Sequence, residues 1–149
     1  MKTLLMFFIT TQLLFSQSSV DKFFEIEWGI DKISLYDLYK NSSFEEEKVL
    51  SYSGITTKDT LNGELVKYLF LLNSDDKLIG KALGNISESE KDVEKLFPIL
   101  KMIAVNKYGE PKSENEMMGM LMINWENING LNVLLNRMKT KCMLMILKK

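Results

Sequence analysis

Polar and apolar positions mark an apolar opening, then two helical segments set among strands. Residues 4–15 are apolar apart from Thr10, Thr11 and Gln12, and residues 16–19 are polar. Phe24, Ile26 and Trp28 alternate with Glu25 and Glu27, which predicts a half-buried strand over residues 23–28. After Gly29, Asp31 can cap a helix of about ten residues, in which Ile30, Ile33, Leu35, Leu38 and Tyr39 fall near helical spacing before Asn41, Ser42 and Ser43 end it. Residues 49–53 predict a short strand, and Thr56, Thr57, Lys58, Asp59, Asn62 and Gly63 a polar loop. Two apolar runs, residues 65–72 and 78–83, joined by Asn73, Ser74, Asp75 and Asp76, predict an antiparallel hairpin.

Ser87 and Glu90 have the spacing of a capping box, so a second helix is expected from there. Val93, Leu96, Phe97, Leu100, Ile103 and Ala104 form its apolar stripe, facing a sheet. Pro98 removes a helical hydrogen bond and predicts a kink or break, and Gly109 followed by Pro111 ends the helix. From Met118 onward only strands are expected. Residues 120–127 and 131–138 flank Asn129-Gly130, a type I′ turn pair, and residues 142–147 follow a turn and are apolar on both faces, as suits an interior strand. The expected fold class is α+β: an antiparallel sheet of about six strands with two helices on one face, the order helix-then-meander occurring twice as a divergent duplication would leave it.

The first residues change the picture of location. Lys2, the apolar run and the polar residues after it have the layout of a secretory signal peptide, with cleavage after Ser16 or Ser18. About a dozen apolar residues, at ~1.5 Å each, span too little of a ~30 Å hydrocarbon core for an anchor. The only cysteine is Cys142, so neither a lipoprotein cysteine after the run nor an internal disulfide is available. Its apolar neighbours predict a buried, inert thiol. The expected product is residues 17–149, a single exported domain, periplasmic or secreted. Loss of Lys2 lowers the basic count from 19 to 18 against 20 acidic residues, a net charge of −2 without a basic cluster, which argues against nucleic acid and anionic membrane surfaces.

Candidate chemistry is sparse. With no histidine and one cysteine, histidine-based triads and Cys/His zinc sites are excluded, and the eight glycines form no phosphate loop. Glu45, Glu46 and Glu47 read as a solvated charge run, and Asp75 and Asp76 as turn residues. Asn-x-Ser sites at Asn41 and Asn85 would matter only in a eukaryotic secretory pathway. No catalytic, cofactor-binding or metal-binding set is assigned, and an enzyme is not expected. Methionine is the residue used unusually: of the eight left after Met1 and Met6, seven lie between Met117 and Met145. On one strand Met118, Met120 and Met122 would share a face, a thioether row able to hold Cu(I). The simpler expectation is that these side chains fill an irregular core beside Leu121, Leu144 and Ile146.

Trp28-Gly29-Ile30-Asp31 opening a helix, the hairpin of residues 65–83, and Tyr108-Gly109-Glu110-Pro111 leading to a strand with Trp125 resemble small exported bacterial α+β domains. The layout is similar to BamE/SmpA-like and β-lactamase-inhibitor-like folds, with helices on one face of an antiparallel sheet. The Leu-Gly-x-Pro turn expected after the first helix of those folds is absent. The resemblance implies a non-enzymatic binding or assembly module of the cell envelope, its sheet face or Trp28 loop meeting another envelope protein. Two alternatives remain at this level: a small secreted carboxylate-dependent hydrolase, and a methionine-based Cu(I) protein.

Overall fold

The structure is a computed structural model that describes residues 19–149. The signal sequence expected at the start of the chain, with cleavage after Ser16 or Ser18, lies outside the described residues. Two short helices, α1 (Ser19–Glu25) and α2 (Lys32–Leu38), precede four strands, β1 (Glu45–Val49), β2 (Tyr52–Leu61), β3 (Glu64–Leu72) and β4 (Leu78–Asn85). One long helix, α3 (Glu90–Tyr108), precedes four more, β5 (Ser113–Met117), β6 (Met120–Ile128), β7 (Leu131–Arg137) and β8 (Cys142–Lys148). All eight join one antiparallel sheet in the order β1-β2-β3-β4-β8-β7-β6-β5. Helix-then-meander therefore occurs twice, and the last strand of each meander pairs with the other at the centre. The α+β class and the order helix-then-meander stand, but among the described residues the sheet has eight strands rather than six, and there are three helices, one of them long, rather than two.

The local differences have physical causes. Residues 23–28 are not a strand. Val20, Phe23 and Ile26 recur every third residue and are the positions buried, so the alternation seen around Trp28 belongs to a helical face. Residues 49–53 are not one strand: Leu50, at φ 57°, and Ser51 turn the chain between the end of β1 at Val49 and the start of β2 at Tyr52. The polar loop of residues 56–63 is mostly strand β2, where β-branched Thr56 and Thr57 are buried, and its end is a tight turn with Asn62 and Gly63 both at positive φ. Ser89, not Ser87, caps α3 by accepting from the Asp92 amide. Pro98 leaves α3 unbroken; it sits on the exposed side of the helix, as does Glu94, the residue whose carbonyl it leaves without a helical donor. The expected Gly109 cap, the Asp31 cap accepting from Ser34 and the Asn129-Gly130 turn are present, and the hairpin expected over 65–72 and 78–83 is formed by Glu64–Leu72 and Leu78–Asn85.

All three helices press on one side of the sheet. Phe23 of α1 and Tyr39 after α2 meet Phe70, Phe97 of α3 lies against Arg137, and Trp125 donates to the Gly109 carbonyl at the end of α3. Along the strands that side carries Val66, Tyr68, Phe70, Leu83, Ile123, Trp125, Val133, Leu135, Cys142, Leu144 and Ile146, all buried. Strand β8 sits between β4 and β7, the interior place its apolar sequence predicts. Asn85 ties the β4–β8 seam, accepting from the Cys142 amide at 2.8 Å and donating to the Thr140 carbonyl at 2.9 Å. Its amide is thus engaged within the fold rather than presented as an acceptor site.

Candidate functional site

Because side chains alternate along strands, the residues between those core positions point to the other side of the sheet, on which no helix or strand packs among the described residues. Register aligns them in rows. One row runs Glu45, Thr56, Leu69, Ala82, Met145, Leu134, Asn124 and Ser113, from one sheet edge to the other. The next holds Lys67, Gly84, Met143, Asn136, Met122 and Asn115. A third holds Leu71, Gly80, Leu147 and Asn132. The centre of this open face is leucine, methionine and small residues, and its flanks are polar.

Small residues shape the centre. Gly80, Ala82 and Gly84 line the open side of β4, and Leu71 and Leu147 lean over Gly80, while Ala82 is only 3% exposed. Beside them a hollow of about 80 Å³ is bounded by Lys67, Leu69 and Met143. A broader depression of about 520 Å³ lies over Leu134 and Met145, with Asn124, Asn132 and Lys112 at its sides. The flanking charges are paired: Lys58 with Glu45 at 3.3 Å, Lys67 with Glu47 at 3.0 Å and Lys112 with Glu126 at 2.7 Å. The Lys112 ammonium holds the Glu126 carboxyl below its ordinary range. Such exposed pairs add little stability, but they leave the face without net charge of either sign.

The methionines are where the expectation fails most clearly. None is among the buried core residues; Met102, Met117, Met118 and Met138 are exposed, and Met120, Met122, Met143 and Met145 are half-buried. Met118 is not in a strand row. It occupies the positive-φ position of the β5–β6 turn and is 98% exposed, whereas Met117 takes the strand position opposite Met120. Glu45, Glu46 and Glu47 form the edge strand β1, where like charges discourage pairing with another acidic edge, and Glu114 and Glu116 do the same on β5. Asp75 and Asp76 lie in the turn before β4, where the Asn73 side chain accepts from the Asp75 amide. Cys142 is buried, and burial pushes its thiol up to about 11. Lys139 and Lys141 reach Glu90 and Glu88, on and just before α3.

Trp28 is not a free loop residue. The chain around it is stitched to β4 by Gly29 donating to the Leu78 carbonyl and Leu78 donating to that of Ile30. Its ring covers Lys81, whose Nζ lies 4.4 Å from the ring centroid. Lys81 is the residue that pattern reading overlooked. It is 2% exposed, faces the helices, and donates to the carbonyls of Phe23, Phe24 and Ile26 at 3.2, 3.4 and 3.0 Å, closing the C-terminal end of α1. Burial, with a smaller contribution from Lys107, lowers it to about 8. The available signal was a lysine inside the apolar run of residues 78–83.

No protein-family model, curated protein or solved structure matches this chain. No helix among the described residues is long and apolar enough to cross a membrane.

Proposed function

We propose that the chain is an exported, non-enzymatic binding module of the cell envelope, and that its open sheet face docks the apolar surface of another envelope protein. The observation that supports this reading is the leucine and methionine centre of a sheet face on which no described element packs. An apolar patch rimmed by paired charges has the anatomy of a protein interface, and flexible thioethers let such a patch adapt to a partner. Eight strands ~4.8 Å apart, each contributing about six residues at ~3.3 Å, make a face of roughly 750 Å². That is close to the ~800 Å² each partner contributes to a standard interface. Because Lys58, Lys67 and Lys112 are already paired, the partner fits by apolar shape rather than by opposite charge.

A photo-crosslinking side chain placed at Leu134, in the protein expressed in its own host, tests the site. The expected result is one discrete adduct with a different protein, lost when Met145→Glu is added, and no adduct from the same probe at Met102 on the helix side. An adduct of twice the chain's own mass would make the partner a second copy and overturn the choice of partner. Equal labelling from both positions, or none from Leu134, would overturn the docking face.

A further inference from the structure

We infer that the corner of the open face where β5 turns into β6 is a soft-metal site, in which the thioethers of Met117, Met120 and Met122 bind Cu(I). Met117 and Met120 are directly opposite each other in the β5–β6 ladder, so their side chains rise from the same face. Met122 is two residues along β6 and therefore shares that face with Met120. Directly opposite residues have Cβ atoms about 5 Å apart and diagonal ones about 7 Å, distances that long methionine side chains close easily. Met117 is 58% exposed, and Met120 and Met122 are half-buried, so the site is reached from solvent.

Two observations carry this beyond a methionine-rich sequence. Core filling, the ordinary reason for clustered methionines, does not apply, since none of these three is among the buried core residues. The turn itself is built to bring the strands together: Met118 at φ 52° and Gly119 at φ 76° give the two positive-φ positions of a tight hairpin, which sets Met117 opposite Met120. Three neutral, polarisable sulfurs select a soft monovalent ion over Zn(II) or Ca(II), which need harder or anionic ligands. Thioethers do not titrate in the ordinary range, so binding persists in mild acid. The inference does not depend on the partner-docking reading, because it concerns one corner of the face and an ion rather than a protein.

The test is a titration of the full chain against Cu(I) held by a competing chelator of micromolar affinity, under reductant and without oxygen. The chain is expected to withdraw one equivalent of Cu(I). Ag(I), as a spectroscopically silent substitute, is expected to shift three methionine methyl resonances. Substituting Met117, Met120 and Met122 together by leucine, nearly equal in volume and therefore tolerated by the fold, weakens binding by about tenfold or more. Met143→Leu with Met145→Leu leaves it unchanged. If the wild-type chain leaves the chelate intact, or the triple variant withdraws as much copper as the wild type, the site does not exist.

Discussion

The stability of the wild-type chain relative to Lys81→Met rises by roughly 3 kcal/mol as pH goes from 8 to 10.5, and is nearly flat below pH 8. Lys81 is held at about 8 in the fold against 10.5 for an ordinary lysine, because burial among Trp28, Phe23 and the end of α1 disfavours its charge. Between those two values the unfolded chain keeps a proton that the folded chain has released. Stability therefore rises with pH in that window, and only in the chain that carries the lysine. Cys142, pushed up to about 11, and Tyr108, pushed up to about 12, act in the opposite direction, since the unfolded chain loses those protons first. Both are present in the two proteins, so their effects cancel in the difference. At pH 7 two terms oppose each other in the variant: three carbonyls lose their donor, at about 1–3 kcal/mol each if they stay dry, and the cost of burying a cation disappears. The variant is accordingly expected within about 2 kcal/mol of wild type at pH 7. Urea unfolding at pH 7, 8, 9 and 10 measures the gap, and a gap independent of pH would mean that Lys81 is solvated.

Gly84→Ala destabilises the chain by about 2–3 kcal/mol, the upper range for forcing an atom into packed space. A Cβ at this position would lie 2.5 Å from the Cys142 carbonyl oxygen, which is backbone and cannot rotate away. The clash falls on the β4–β8 ladder, the strand pairing that joins the two meanders. Gly80→Ala on the same strand is expected to cost less, about 1 kcal/mol, since its two closest contacts, at 2.8 and 3.0 Å, are with the ends of the Leu147 and Leu71 side chains rather than with backbone. Denaturant midpoints of the two variants give the comparison, and equal losses would argue against a rigid seam at Gly84.

The parts of this fold that could be read in advance are those where one residue type has one structural meaning. Asn129-Gly130 is a hairpin turn because two successive positive-φ positions suit little else, and Gly109 ends α3 for the same reason. Asn62-Gly63 carried the same information, but Thr56, Thr57, Lys58 and Asp59 around it lack the alternation of a half-buried strand. Strand β1 was hidden more deeply: three consecutive glutamates on a sheet edge need no apolar partner, and its burial follows no period. Residues 20–28 fit two periods at once, and the core position of Phe23 under Tyr68 and Phe70 decided for helix. The allocation of methionines between core and surface depends on strand parity. Parity is fixed by the burial of Ile123 and Trp125 on the helix side, where Trp125 reaches the Gly109 carbonyl, a tertiary arrangement that no local pattern reveals. For the candidate face, the residue types were visible beforehand, and their assembly into rows required the β4–β8 pairing.

The central claim is that one side of the sheet is sealed by helices while the other presents methionine and leucine to a partner. Oxidation of the native protein by dilute hydrogen peroxide, mapped by mass spectrometry, examines it residue by residue. Met117, Met120, Met122, Met143 and Met145 are expected to become sulfoxides while the near-ultraviolet signal of buried Trp125 stays native. If Met122, Met143 and Met145 resist until that signal is lost, the face is covered in the folded chain and the account is wrong.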